Sequence, residues 1–138
     1  MDQAIKALED YWTGKKKGLL GVVAGTSEDV KLTAQQLAPK DLGDLREQIR
    51  STIIEKKDMI TGDVLSAAPY SAYVEFGTKP HRPPYSALEG WSERHGIPTG
   101  AVVTKIAKYG TPAQPFMTPA SEKGRSEFRS GVIAVMSS

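Results

Sequence analysis

Gln48-Ile49-Arg50-Ser51-Thr52-Ile53-Ile54, then Lys57-Asp58, then Met59-Ile60-Thr61-Gly62-Asp63-Val64-Leu65 is the stretch that decides the fold. The first limb is rich in β-branched residues, which suit a pleated, half-buried surface. Lys57-Asp58 sits where a turn belongs, and the second limb returns with Ile60, Val64 and Leu65. The pattern predicts a β-hairpin over 46–66. Its alternation is imperfect, and Gly62 reads as a bulge.

Before the hairpin the period changes from two to about 3.6. Ile5, Leu8 and Tyr11 or Trp12 recur at helical spacing, and Leu19, Val22, Val23, Val30, Ala34 and Leu37 extend the stripe. Gly14, Gly18, Gly21 and Gly25 interrupt it, each costing up to ~1 kcal/mol relative to Ala in a helix. A long helix is therefore expected with a break over 13–18. It should stop before Pro39, because the residue preceding a proline disfavours the α region. Asp41-Leu42-Gly43-Asp44 is turn chemistry, with Gly43 letting the chain reverse into the hairpin.

After the hairpin, proline takes over. Only Pro39 precedes residue 69, whereas the other eight fall from Pro69 to Pro119. Short elements joined by rigid turns are expected there. Tyr70, Tyr73, Val74 and Gly77 fit one short helix, with Gly77 ending it in the left-handed region. Tyr85, Leu88 and Trp91 mark a second helix closed by Gly96, and Val102 or Val103, Ile106 and Tyr109 a third closed by Gly110. A final helix should start with Thr118 as cap and Pro119 in its first position, with Phe128, Val132 and Met136 along one face. The whole is α+β: a long N-terminal helix, an antiparallel hairpin, short helices and a C-terminal helix.

The 138 residues suit one domain spanning 1–138. The absence of Cys excludes a disulfide scaffold, a thiol nucleophile, iron–sulfur clusters and every Cys-based zinc site. No apolar run approaches the ~18 residues of a membrane span. The mixed, acidic start is unlike a signal peptide, so synthesis in a reducing cytoplasm is expected. There are 18 basic and 16 acidic side chains, and the excess falls in the last third. The one basic run, Lys15-Lys16-Lys17, reads as a solvated face, since a nucleic-acid binder gathers Lys and Arg on one surface.

Catalytic signatures are missing. The glycines at 18, 21 and 25 lack the strand and the Lys-Ser/Thr of a phosphate loop. No Gly-x-Ser-x-Gly elbow occurs. His81, Glu89, Glu93 and His95 form the only metal-like group, but His81 lies in a Lys-Pro-His-Arg-Pro-Pro turn and the spacing matches no zinc pattern. No catalytic, cofactor or metal site is assigned.

Tyr70-Ser71-Ala72-Tyr73-Val74-Glu75-Phe76-Gly77-Thr78 places two Tyr, a Phe and one Glu on a short helix leading into a turn. Two readings stand side by side. The aromatics pack in the core with Glu75 paired to an Arg, or they anchor a protein–protein contact.

Three segments in order carry a resemblance. They are Ala38-Pro39-Lys40-Asp41-Leu42-Gly43-Asp44-Leu45-Arg46, then Tyr70-x-x-Tyr73-Val74-Glu75-Phe76-Gly77-Thr78, then Gln114-Pro115-Phe116-Met117-Thr118-Pro119-Ala120. Together they resemble the head–tail joining, or tail-completion (neck), proteins of long-tailed bacteriophages and prophages, also called minor tail components. The likeness spans roughly residues 30–130, and 79–109 resembles the two-helix insertion of longer members.

The resemblance implies a structural protein of the virion neck. Its copies would form a ring between the head-side connector and the tail-tube or tail-terminator proteins, with DNA passing through unbound. Tyr70, Tyr73, Glu75, Phe76, Thr78, Pro115 and Phe116 are the expected assembly interface. Pro39, Gly43, Gly77, Gly110, Thr118 and Pro119 are expected as turns and caps. Two rival expectations are a nucleic-acid module using Lys15-Lys16-Lys17 with the basic last third, and a metal hydrolase on His81, Glu89, Glu93 and His95.

Overall fold

The computed structural model describes residues 2–40 and 43–138. Helix α1 (Asp2–Leu37) is followed by α2 (Gly43–Glu47), strands β1 (Ile49–Glu55) and β2 (Ile60–Ser66), and helices α3 (Ser71–Phe76), α4 (Tyr85–His95), α5 (Thr99–Tyr109) and α6 (Met117–Ser137). The strands pair antiparallel from Ile49↔Ser66 to Glu55↔Ile60. The fold is α+β, with α1 packed against both the hairpin and α6.

The expected break over 13–18 does not occur, and α1 runs through 36 residues. Its helicity survives the glycines because packing contributes more than propensity. Gly18 is one reason. A Cβ there would come within 2.9 Å of Val135 on α6. The same logic recurs in reverse along α6, where a Cβ at Gly131 would lie 2.7 Å from Val22 and one at Gly124 would collide with Val30. The two helices therefore run antiparallel at glycine-limited distance. α1 ends at Leu37, ahead of Pro39 as expected.

Of the turn expected over 41–44, Asp41 and Leu42 lie outside the described residues. From Gly43 the chain is already helical, so Gly43 opens α2 rather than completing a reversal. Arg46 belongs to α2 and the hairpin begins at Ile49, because this short helix is what buries Leu45 completely. Gly62 makes no bulge, since it pairs in register with Ile53. It sits where the hairpin crosses α1, and a Cβ there would collide with Ser27 and lie 2.8 Å from Val23.

The core gathers Ala34 and Ala38 from α1, Leu45, Ile49, Ala68, Phe116 and Ala120, with Tyr70, Val74 and Met117 packed around them. It thus lies at one end of α1. At the other end α1 outruns its partners, and every residue from Asp2 to Gly14 is exposed. The stripe read from Ile5 to Trp12 is exposed along its length.

The segment 79–109 forms a separate helical pair. It leaves and rejoins through a bridge in which Thr78 and Thr111 exchange both backbone hydrogen bonds, at 3.0 and 3.1 Å, and their hydroxyls meet at 2.8 Å. Gly77 and Gly110 flank the bridge at φ 72° and 73°. Both have extended ψ rather than the helical left-handed value expected at Gly77; Gly96 alone of the three adopts that, at φ 65°, ψ 27°.

Candidate functional site

The 70–78 segment divides its residues between two jobs. Tyr73 and Phe76 stand 63% and 75% exposed, whereas Glu75 between them is only 6% exposed. A helix of six residues with spacing i, i+3 for the aromatics puts them together on the outward side. Tyr70 is half-buried against the core, and Thr78 is committed to the bridge.

Glu75 pairs with no Arg. Its Oε2 accepts the N–H of Phe116 and of Met117, each at 2.9 Å, and its Oε1 accepts the N–H of Thr118 at 2.8 Å. These are the first donors of α6, which every helix leaves without intrahelical partners. Burial pushes the Glu75 carboxyl up, but the Thr118 hydroxyl and the three backbone N–H groups outweigh it and hold the pKa below its ordinary value.

Thr118 consequently does not act as the N-cap. Phe116 takes that position, and its side chain makes no capping bond. The cap comes instead from across the molecule, and the carboxylate also suits the positive end of the helix dipole. Gln114 donates its N–H to the Val74 carbonyl at 2.8 Å, so α3 and the 111–117 segment are tied at two points.

Phe116 is 1% exposed and fills the chain's own core. It offers nothing to a neighbour, contrary to its placement in the interface, and Pro115 alone of that pair is exposed. A shallow cleft of about 250 Å³ lies beside Glu75, lined by Ser66, Ser71, Ala72, Phe76, Met117 and Thr118.

The lysine run is not a solvated face. Lys15 is 8% exposed and donates to the main-chain oxygens of Val135 and Ser138, the first at 2.8 Å, and to Ser138 Oγ. A cation at the C-terminal end of α6 complements its dipole. Lys16 pairs with Glu55 at 3.5 Å, near the tip of the hairpin. Two of the three charges therefore have partners within the chain, one buried and one at the surface. His81 donates from Nδ1 to the Lys79 carbonyl at 2.9 Å, and His95 stacks on Trp91 with ring centroids 4.1 Å apart. Among the described residues, no three His, Asp or Glu side chains converge on a position that could hold a metal ion. No helix among them is long and apolar enough to cross a membrane.

The last helix also turns its face differently from the reading. Ala120, Gly124, Gly131 and Val135 pack inward, while Phe128 and Met136 are 43% and 45% exposed. Apolarity alone suggested the wrong side, because the close approach to α1 selects small residues over large ones. Glu75 as a distant cap was likewise missed. A signal existed: α6 has no acidic residue in its first turn, and one carboxylate sits alone in an otherwise uncharged short helix.

Neither the curated proteins nor the solved structures include a match to this chain. A family model does match, over residues 2–77, which takes in α1, the hairpin and α3 and ends before the helical pair. It includes the first thirty residues, where no recognisable motif stands, and stops short of the 114–120 motif. Since the match covers more than half of its length, the chain belongs to the HK97-gp10-like family of phage proteins, described as "Bacteriophage HK97-gp10, putative tail-component".

Proposed function

We propose that this chain is a structural protein of the phage neck, joining the head connector to the tail as one subunit of an oligomeric ring around the DNA channel. The observation that carries this reading is the division of labour on α3. Glu75 locks the helix to α6 from behind, which leaves Tyr73 and Phe76 as exposed aromatics on a rigid mount. Aromatic anchors of that kind dominate protein–protein contacts. Membership in a family of tail components supports a role in virion structure. The near balance of 18 basic and 16 acidic groups suits a channel that DNA passes without sticking. In this reading the chain catalyses no reaction and needs no cofactor, and its partners are its own copies, the connector and the tail proteins.

A phage lacking this chain tests the reading. Electron microscopy should show filled heads and separate, complete tails, and the wild-type chain supplied in trans should restore joined particles. Joined, infectious particles in its absence would overturn the reading. The Tyr73→Ser, Phe76→Ser double variant should fold normally and fail to restore joining.

A further inference from the structure

Two apolar stripes are left open, one of them only in part, by the chain's own packing. The first is Ile5, Leu8 and Trp12 on the free end of α1, exposed by 51%, 69% and 54%. α6 reaches back only as far as Lys15, so the thirteen residues from Asp2 project about 20 Å beyond it. A helix of that length is marginal in water without tertiary contacts. The second stripe is Phe128, Val132 and Met136 along a flank of α6, spaced i, i+4, i+8, with Phe128 and Met136 exposed by 43% and 45% and Val132 half-buried between them.

The two stripes match in length and oppose in charge. Each spans roughly 10–12 Å along its helix. The α1 end carries Asp2, Glu9 and Asp10 against Lys6, with Asp2 and Glu9 bordering the stripe. Arg125 and Arg129 sit beside the α6 stripe, both exposed, with Glu122 at its far end. Complementary charge favours this pairing over α1 ends meeting each other.

Resting on the neck reading above, we propose that the free end of α1 packs on the flanking stripe of α6 in a second copy of this chain. Each copy then offers one donor surface and one acceptor surface, which is the head-to-tail contact that closes a ring by rotation. Three half-exposed side chains a side bury on the order of 250 Å² per copy, about a third of what a stable pair requires. One contact is therefore weak, whereas ring closure gives every copy two.

Because the chain has no cysteine, disulfide trapping is clean. Leu8→Cys and Val132→Cys mark the centres of the two stripes, which meet whichever way the helices run. The single variants, their mixture and the double variant are oxidised as concentrated full-length protein and within particles. Singles should stay monomeric, the mixture should stop at dimers, and the double variant should form a ladder beyond the dimer. Glu9→Arg should lower the yield several-fold, and adding Arg129→Glu should restore it. Dimers of Leu8→Cys alone, a double variant that stops at dimers, or no linkage in either setting would overturn the proposal. Linkage absent from particles that still join heads to tails rejects this contact and leaves the neck reading standing. A ladder formed by a chain that joining does not need rejects the neck reading and leaves the contact.

Discussion

The carboxylate of Glu75 holds the N–H of Phe116 at 2.9 Å across a separation of 41 residues, and so closes the start of a helix to which it does not belong. Three orphan donors are satisfied by one buried side chain. Removing the charge while keeping the shape, with Glu75→Gln, should cost about 1–3 kcal/mol, since hydrogen bonds to a charged acceptor are the strong ones. Denaturant unfolding at neutral pH measures it.

The same group sets an acid limit. The folded pKa of Glu75 lies below its ordinary 4.5, so its contribution is fully present above that value and is lost as pH falls through the folded pKa. Wild-type stability should therefore drop below about pH 4.5 more steeply than that of Glu75→Gln. Parallel slopes for the two proteins from pH 5 to 3 would show that Glu75 contributes nothing to the acid transition.

Glycines in the two long helices should separate by sign. A Cβ at Gly21 or Gly25 meets nothing within 4 Å, so Gly→Ala there should stabilise by up to ~1 kcal/mol. At Gly124 the new methyl collides with Val30, a stiff β-branched side chain, and at Gly131 it lies 2.7 Å from Val22. Ala at either position should destabilise by about 1–3 kcal/mol despite the better propensity. Thermal melts of the four single variants decide this.

These glycines also explain which parts of the fold could be read in advance. The hairpin limbs, the stop before Pro39 and the helices closed by Gly77, Gly96 and Gly110 follow from local chemistry, and local chemistry is visible in a sequence. What went astray was set by distant partners. The continuity of α1 depends on Val135, the straight register at Gly62 on Ser27 and Val23, and the cap of α6 on Glu75. Phe116 belongs to a motif expected at the interface, but only the fold reveals that its side chain fills the chain's own core. The exposed stripes at Ile5 and Phe128 were visible as stripes. Which side of each helix was already taken was not.

The helical pair of α4 and α5 should be removable. Thr78 and Thr111 exchange both backbone hydrogen bonds, which is the geometry that closes a two-residue hairpin turn. Replacing 79–110 by Asn-Gly should leave α1, the hairpin and α6 folded, with unfolding free energy within about 1 kcal/mol of the full chain. Loss of the cooperative transition in the shortened protein would mean that the pair is part of the main core.

Across the α1–α6 seam, Glu127 faces Asp29. A hydrogen bond with Asp29, burial and the repulsion of its charge together raise the Glu127 pKa, only partly offset by Lys123. A raised carboxyl binds its proton more tightly in the folded state, so stability falls as pH climbs from the ordinary 4.5 through the folded value. Glu127→Gln removes that penalty. It should stabilise the protein at pH 7 by about 0.5 kcal/mol, a small figure because the group is largely open to water and solvent screens it. The gain should vanish below about pH 4.5, where the Glu127 carboxyl holds its proton, and a variant equally stabilised at both pH values would place its effect in packing rather than charge.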